Sequence, residues 1–334
     1  MTEELRPEQM PLIDLEAFAA GDRSQVERAD RSLREHNFVA LENHGVDERL
    51  IAKGYDAGRR LFALPQSVKR RYSKGKGAIG FIPYGVEQAL IGKHPDLKEL
   101  WHHAHEPEDP AVVARFPDAY PTNHSVAEVP QWGDTMRALD AAFARATDRL
   151  MRVLALAIGL PEDHFVALTH GAPHILRIVY YPPLPGRLRP GEARAVAHTG
   201  AGVLGLLPPA TDPGLEIQRR DGRWQSLVGF DRQIVITIAD QMARLSGGRI
   251  VGSTHRVINP SGEAAGRPRY ALVYFVSSMP DTVLVPPPGL EGAVAPEETI
   301  TSWEFMTRRM QKVWINQASL PYRLLWRLRE RLAR

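Results

Sequence analysis

Hydrophobic positions in the first half of the chain recur with a helical period. Val26, Ala29 and Leu33 share one face of a helix that follows a short strand at Leu12-Ile13, and a strand from Phe38 to Glu42 ends at Asn43-His44-Gly45. A second helix, from about Asp47 to Phe62, stops at Leu64-Pro65, because the residue before proline is driven out of the helical region. A third runs from about Trp132 to Gly159 and aligns Leu139, Phe143, Ala146, Leu150 and Leu154. Gly75-Lys76-Gly77 and the stretch from Gly80 to Gly85 read as loop. After residue 174 the period changes to two. Short runs rich in branched residues cover Ile175 to Tyr181, Gly202 to Leu207, Leu215 to Arg219, Trp224 to Leu227, Ile234 to Ala239, Thr254 to Ile258 and Tyr270 to Ser277. Turn residues such as Pro213-Gly214, Asp221-Gly222 and Asn259-Pro260 separate them, which predicts a β-sandwich or barrel. From Thr301 to Arg334 the pattern is helical again, with Leu325, Leu328 and Leu332 on one side. The expectation is a mainly β fold with flanking helices in a single domain over 1–334. Residues 1–173 would be a mostly helical scaffold, 174–282 the core and 300–334 C-terminal helices.

Composition narrows the chemistry. The 334 residues are 43% hydrophobic and 24% charged, which suits a globular chain with a sizeable core. Lys and Arg number 42 against 39 Asp and Glu, a net charge of +3 that is too small for a nucleic-acid polymer and compatible with a small anionic substrate. With no cysteine, a metal must be held by His, Asp or Glu. No apolar run approaches the roughly 20 residues that a membrane span needs, and the polar start predicts a cytoplasmic protein. Histidine is therefore the ligand to follow. His198 and His255 both fall in the strand-rich half, and neutral imidazoles there suit iron, zinc, copper or nickel.

The motifs His198-Thr199-Gly200, Gly214-Leu215-Glu216-Ile217, Ile238-Ala239-Asp240, Ser253-Thr254-His255-Arg256-Val257 and Arg269-Tyr270-Ala271 stand in this order. Together with Pro11-Leu12-Ile13-Asp14, Glu42-Asn43-His44-Gly45-Val46, Phe62-Ala63-Leu64-Pro65 and Asp96-Leu97-Lys98-Glu99, they resemble the iron(II)/2-oxoglutarate oxygenases of the isopenicillin N synthase-like group. The resemblance covers about residues 10 to 315 and implies a double-stranded β-helix, or jelly-roll, core. It also implies Fe(II), 2-oxoglutarate and O2 as the reacting partners. In that family a His-x-Asp pair and a distant His hold the metal, so His198 and His255 are the expected ligands. The aspartate position is Gly200. Asp212 and Asp240 are not well placed to substitute for it. Arg269 is expected to pair with the distal carboxylate of 2-oxoglutarate and Tyr181 to donate to it, although the family's neighbouring serine is Ala271 and its frequent asparagine is Val179.

A glycine at the carboxylate position resembles the halogenase branch of the family, in which chloride occupies the vacated place. The resemblance extends to bacterial enzymes that chlorinate the 2′ carbon of deoxyadenosine monophosphate. The expected activity is chlorination of an unactivated carbon on a free small molecule. A hydroxylase with water at the open position, or a catalytically dead binding protein, are the alternatives. Alternation places Arg177 and Val179 on the same strand face as Tyr181, so Arg177 is a candidate to position 2-oxoglutarate, chloride or an anionic substrate group. Bases and aromatics from Arg70 to Tyr84, namely Arg71, Lys74, Phe81 and Tyr84, with His102 and His103, are candidate contacts for a nucleotide.

Overall fold

A computed structural model of the chain describes residues 2–73, 79–89, 92, 94–290 and 299–313. The strands, in chain order, are β1 (Thr2–Leu5), β2 (Leu12–Asp14), β3 (Val39–Glu42), β4 (Gly80–Ile82), β5 (Glu99–Ala104), β6 (Ile175–Tyr181) and β7 (Ala195–His198). They continue with β8 (Leu204–Leu207), β9 (Leu215–Gln218), β10 (Trp224–Leu227), β11 (Ile234–Ile238), β12 (His255–Val257) and β13 (Arg269–Val276). Two sheets form the jelly-roll core, one ordered β1-β10-β9-β12-β7 and the other β2-β3-β11-β8-β13-β6-β5-β4.

The larger sheet is covered on both faces, which explains why β11 reads as the β-branched run Ile234-Val235-Ile236-Thr237-Ile238 and is buried throughout. One face packs on the helices, where the Trp132–Ala157 helix inserts Leu139, Phe143 and Leu150 into the same cluster as Leu272, Tyr274 and Ile236. The Glu48–Ala63 helix crosses close beneath it, since a Cβ at Gly54 would lie 2.6 Å from Leu139 Cδ1. The opposite face meets the smaller sheet, with Val235 packed against Ile217 and Leu227.

Three predicted features change. Gly80 to Ile82 forms β4 rather than loop, because the β5 edge offers partners and Gly80 takes φ +101°, where a side chain would also strike the Tyr72 carbonyl. The segment 1–173 is not helix alone. Among its described residues five strands extend both sheets, β1 running parallel to β10 through Leu5 paired with Leu227. Strands β5 and β7, which the periodicity did not isolate, contribute His102 and His198. At the C-terminus the helix Ser302–Val313 is present, and Leu325, Leu328 and Leu332 lie outside the described residues. No helix among the described residues is long and apolar enough to cross a membrane.

Candidate active site

Sheet register creates the site. His198 ends β7, His255 begins β12, and the antiparallel pairing sets them directly opposite each other. Their ring centroids are 4.4 Å apart. His198 Nδ1 lies 2.7 Å from the Val196 carbonyl and His255 Nδ1 lies 2.9 Å from the Ser253 carbonyl. Each ring thus donates its Nδ1 proton to its own strand and keeps the Nε2 lone pair for a ligand. Ser253 fixes the second histidine. Its buried hydroxyl donates to the Asn37 carbonyl at 2.6 Å and accepts from the Ile238 amide at 2.8 Å, tying the approach to β12 onto β11 and onto the end of the Ser24–His36 helix. Asn37 ends that helix in the left-handed conformation, φ 65°, a task asparagine tolerates.

Both imidazoles are held neutral. Burial, followed by the Lys98 ammonium, lowers His198 to about 4, and burial, followed by the facing His198, lowers His255 to about 3. Two neutral, convergent nitrogen donors fit a divalent iron, and iron with 2-oxoglutarate supplies oxygen activation when bound. His174, whose Nδ1 accepts from the Ser277 amide, is also held well below its ordinary value by burial. The folded pKa values of these three lie beneath the unfolded value near 6.5, so the unfolded chain binds more protons below that pH and stability falls as pH falls. Each group contributes at most about 1.4 kcal/mol per pH unit, and the partial exposure of His198 and His255 reduces their share. Denaturant titration of metal-free protein is expected to show a loss of about 2 kcal/mol between pH 7 and 5.5, and an unchanged midpoint would contradict neutral burial.

Gly200 has no side chain where the resemblance places a third ligand. Gly200 sits two residues past His198, bridged to Ala239, and its carbonyl accepts from the Asp240 amide at 2.9 Å. A Cβ on Gly200 would lie 3.0 Å from Ala239 Cβ. Asp240 is tied to Arg309 of the Ser302–Val313 helix at 3.1 Å, and Asp212 to Thr211 and Arg267, so neither carboxylate turns to the histidine pair. Among the described residues no cluster of three or more His, Cys, Asp or Glu side chains could hold a metal.

Arg269 and Tyr181 face each other in register on β13 and β6, with the guanidinium carbon 5.2 Å from the ring centroid. Arg269 Nε donates to the Asp212 and Pro213 carbonyls, while its buried Nη1 has no partner among the described residues. An orphaned guanidinium nitrogen bordered by apolar Val179, Ala195 and Ala271 fits the carboxylate of 2-oxoglutarate.

Arg177 is different. It faces the barrel interior as the alternation predicts, but Glu87 binds its Nη1 and Nη2 at 3.1 and 2.9 Å, and its Nε donates to His102 Nε2 at 2.8 Å. Its charge is therefore compensated by the Glu87 carboxylate. Glu87 also binds Lys98 at 2.7 Å, and Lys98 binds Asp96 at 2.8 Å, a buried network whose charges are felt at His198. Lys98 and Arg177 hold the Glu87 carboxyl far below the usual carboxylate range against the effect of burial. Sequence reasoning missed Glu87, since a lone glutamate in a loop carries no spacing signal.

The substrate candidates scatter. Phe81 and His103 are corrected: both point away from the barrel interior into the helical layer, Phe81 against Phe62 and His103 toward Asp140, because pairing with β5 and β6 assigns them to the Trp101 or Leu176 face of the sheet. Arg71 is exposed and bonded to Glu128. Lys74 lies outside the described residues. Tyr84 is 44% exposed, and His102 stays beside Arg177.

Comparison with known proteins agrees with this geometry. Residues 10–123 match the family described as non-haem dioxygenase in morphine synthesis N-terminal, and residues 172–278 match the 2OG-Fe(II) oxygenase superfamily. The chain is 29% identical over 316 residues to validamycin A dioxygenase of Streptomyces hygroscopicus subsp. limoneus, covering 90% of this chain and 85% of the relative. It is 30% identical to a flavonol synthase/flavanone 3-hydroxylase of Arabidopsis thaliana, covering 74% and 70%. The crystal structure of a full-length Neurospora crassa protein in complex with alpha-KG superposes with a TM-score of 0.76 at 23% identity, covering 90% and 95%. Two facing neutral histidines, an unpaired buried arginine and these likenesses converge: the chain belongs to the 2OG-Fe(II) oxygenase superfamily and is an enzyme of the non-haem iron, 2-oxoglutarate-dependent kind.

Proposed function

We propose that this enzyme is a halogenase that installs chloride on an unactivated carbon of a free small molecule. The observation that carries the reading is Gly200: the chain keeps both imidazoles and the orphaned Arg269 nitrogen, yet among the described residues brings no carboxylate to the third position. Two neutral imidazoles add no charge, so a divalent ion between them accepts a monatomic anion more readily than one that already carries a carboxylate. His198 and His255 would hold the iron, Arg269 and Tyr181 the 2-oxoglutarate, and Gly200 would leave room for chloride. The overall change is substrate C–H, chloride, 2-oxoglutarate, O2 and a proton to C–Cl, succinate, CO2 and water. Product identity depends on which atom the substrate carbon faces, so positioning decides the outcome.

An anionic nucleotide such as dAMP is the first substrate to test, on the basic and aromatic character of the segment from Arg70 to Tyr84. Among the described candidate contacts, Tyr84 and His102 keep positions open to that role. The experiment is mass spectrometry of dAMP and related nucleotides after incubation with the enzyme, Fe(II), 2-oxoglutarate, chloride and O2. A product bearing the chlorine isotope doublet is expected. Hydroxylated product alone at high chloride would make the enzyme a hydroxylase, and failure to bind iron and 2-oxoglutarate under nitrogen would make it a binding protein.

A further inference from the structure

Arg194 immediately precedes β7 and is 2% exposed, among the largest fully buried side chains of the protein. Its Nη2 donates to the Arg267 carbonyl at 3.0 Å, and its Nε is buried without a partner. Among the described residues no carboxylate is bonded to it. Asp212 is close enough to be felt electrostatically, but its oxygens are engaged by Thr211 and Arg267. Arg269 repeats the pattern, with carbonyl partners on Nε and a buried, unpartnered Nη1. Both guanidinium carbons lie within 6 Å of the Tyr181 ring centroid, Arg194 at 5.9 Å and Arg269 at 5.2 Å. Two buried cations therefore flank one tyrosine, each with a nitrogen that none of the described residues satisfies. Burial, and then the Arg269 charge, push the Arg194 guanidinium down, so the folded chain holds the pair against repulsion. Val179 and Ala271, which share the strand faces of Tyr181 and Arg269, have no side-chain hydrogen-bond donor. An anion between the two guanidinium groups would offset their repulsion and satisfy the unpartnered nitrogens.

We infer that Arg194 is a second arm of the 2-oxoglutarate clamp, binding the distal carboxylate together with Arg269 and Tyr181. The inference rests on the cosubstrate reading above and deepens it. It supplies the donor that Val179 and Ala271 do not, and makes the pocket selective for a carboxylate over an apolar chain end.

The test uses the full chain, loaded with Fe(II) under nitrogen, and calorimetric titration with 2-oxoglutarate and with 2-oxopentanoate, in which a methyl group replaces the distal carboxylate. For Arg194→Met the affinity for 2-oxoglutarate is expected to fall about tenfold or more, the scale of a lost hydrogen bond to a charged group, while the affinity for 2-oxopentanoate stays unchanged. Thermal melts without ligand should show Arg194→Met no less stable than wild type, because one of two repelling buried charges is gone, and the rise in melting temperature on adding 2-oxoglutarate should shrink. Unchanged 2-oxoglutarate affinity, or equal loss for both ligands, would overturn the inference and leave the cosubstrate reading standing. If wild type itself does not bind 2-oxoglutarate, the cosubstrate reading fails and takes this inference with it. Should Arg194→Met not fold, Arg194→Lys decides: it keeps the charge but loses the fork, so 2-oxoglutarate binding should weaken several-fold with 2-oxopentanoate unaffected, and equal binding to wild type overturns the inference.

Discussion

Gly200→Asp abolishes chlorinated product. The backbone at position 200 has no positive φ, so an aspartate is conformationally allowed there, and its carboxylate would take the third position while offsetting the metal's charge. Space is the second issue. The new Cβ would stand 3.0 Å from Ala239 Cβ, tighter than ordinary van der Waals contact, and Ala239 belongs to the buried junction where β11 leads into Asp240. Overpacking of this kind costs about 1–3 kcal/mol, so the single variant should also melt at lower temperature. Gly200→Asp combined with Ala239→Gly removes the contact and should recover stability while still making no chlorinated product. Gly200→Ala adds only the methyl group and should keep part of the chlorination. Mass spectrometry at high chloride together with thermal melts checks all three. Chlorination by Gly200→Asp at the wild-type level would refute the halogenase reading.

His198→Ala and His255→Ala each abolish iron retention and turnover. Each removes one of two protein donors, and the neighbouring carboxylates are not free to compensate, Asp240 being held by Arg309 and Glu87 by Arg177 and Lys98. The loss of iron affinity should exceed the roughly 10- to 100-fold drop that follows loss of an outer-shell partner. Metal analysis after gel filtration under nitrogen reads it directly. Iron retained at the wild-type level in either variant would remove that residue from the metal site.

Glu87 and Arg177 show how far inference from a strand can reach. Alternation along β6 turned Arg177 into the barrel, and the physics that a buried arginine needs a partner was sound. The partner is Glu87, ninety residues earlier in a loop, and nothing local to either residue announces the pairing. Phe81 and His103 failed for a related reason. Both stand near the right segment, yet register against β5 and β6 decides which face a residue occupies, and a shift of one position exchanges the faces.

The sequence by itself determined the mainly β core, the long helix that starts at Trp132, and the order of motifs that singles out His198, Gly200 and His255. Periodicity and motif order are local properties, written in neighbouring side chains. Only the tertiary structure decided that the first half of the chain completes both sheets, that Ala239 closes on Gly200, that Arg177 is neutralised, and that Arg194 joins Arg269 beside Tyr181. Each of these is a contact between residues distant in sequence, fixed by strand register and by the need of buried charges for partners, and neither is written in any local stretch of sequence.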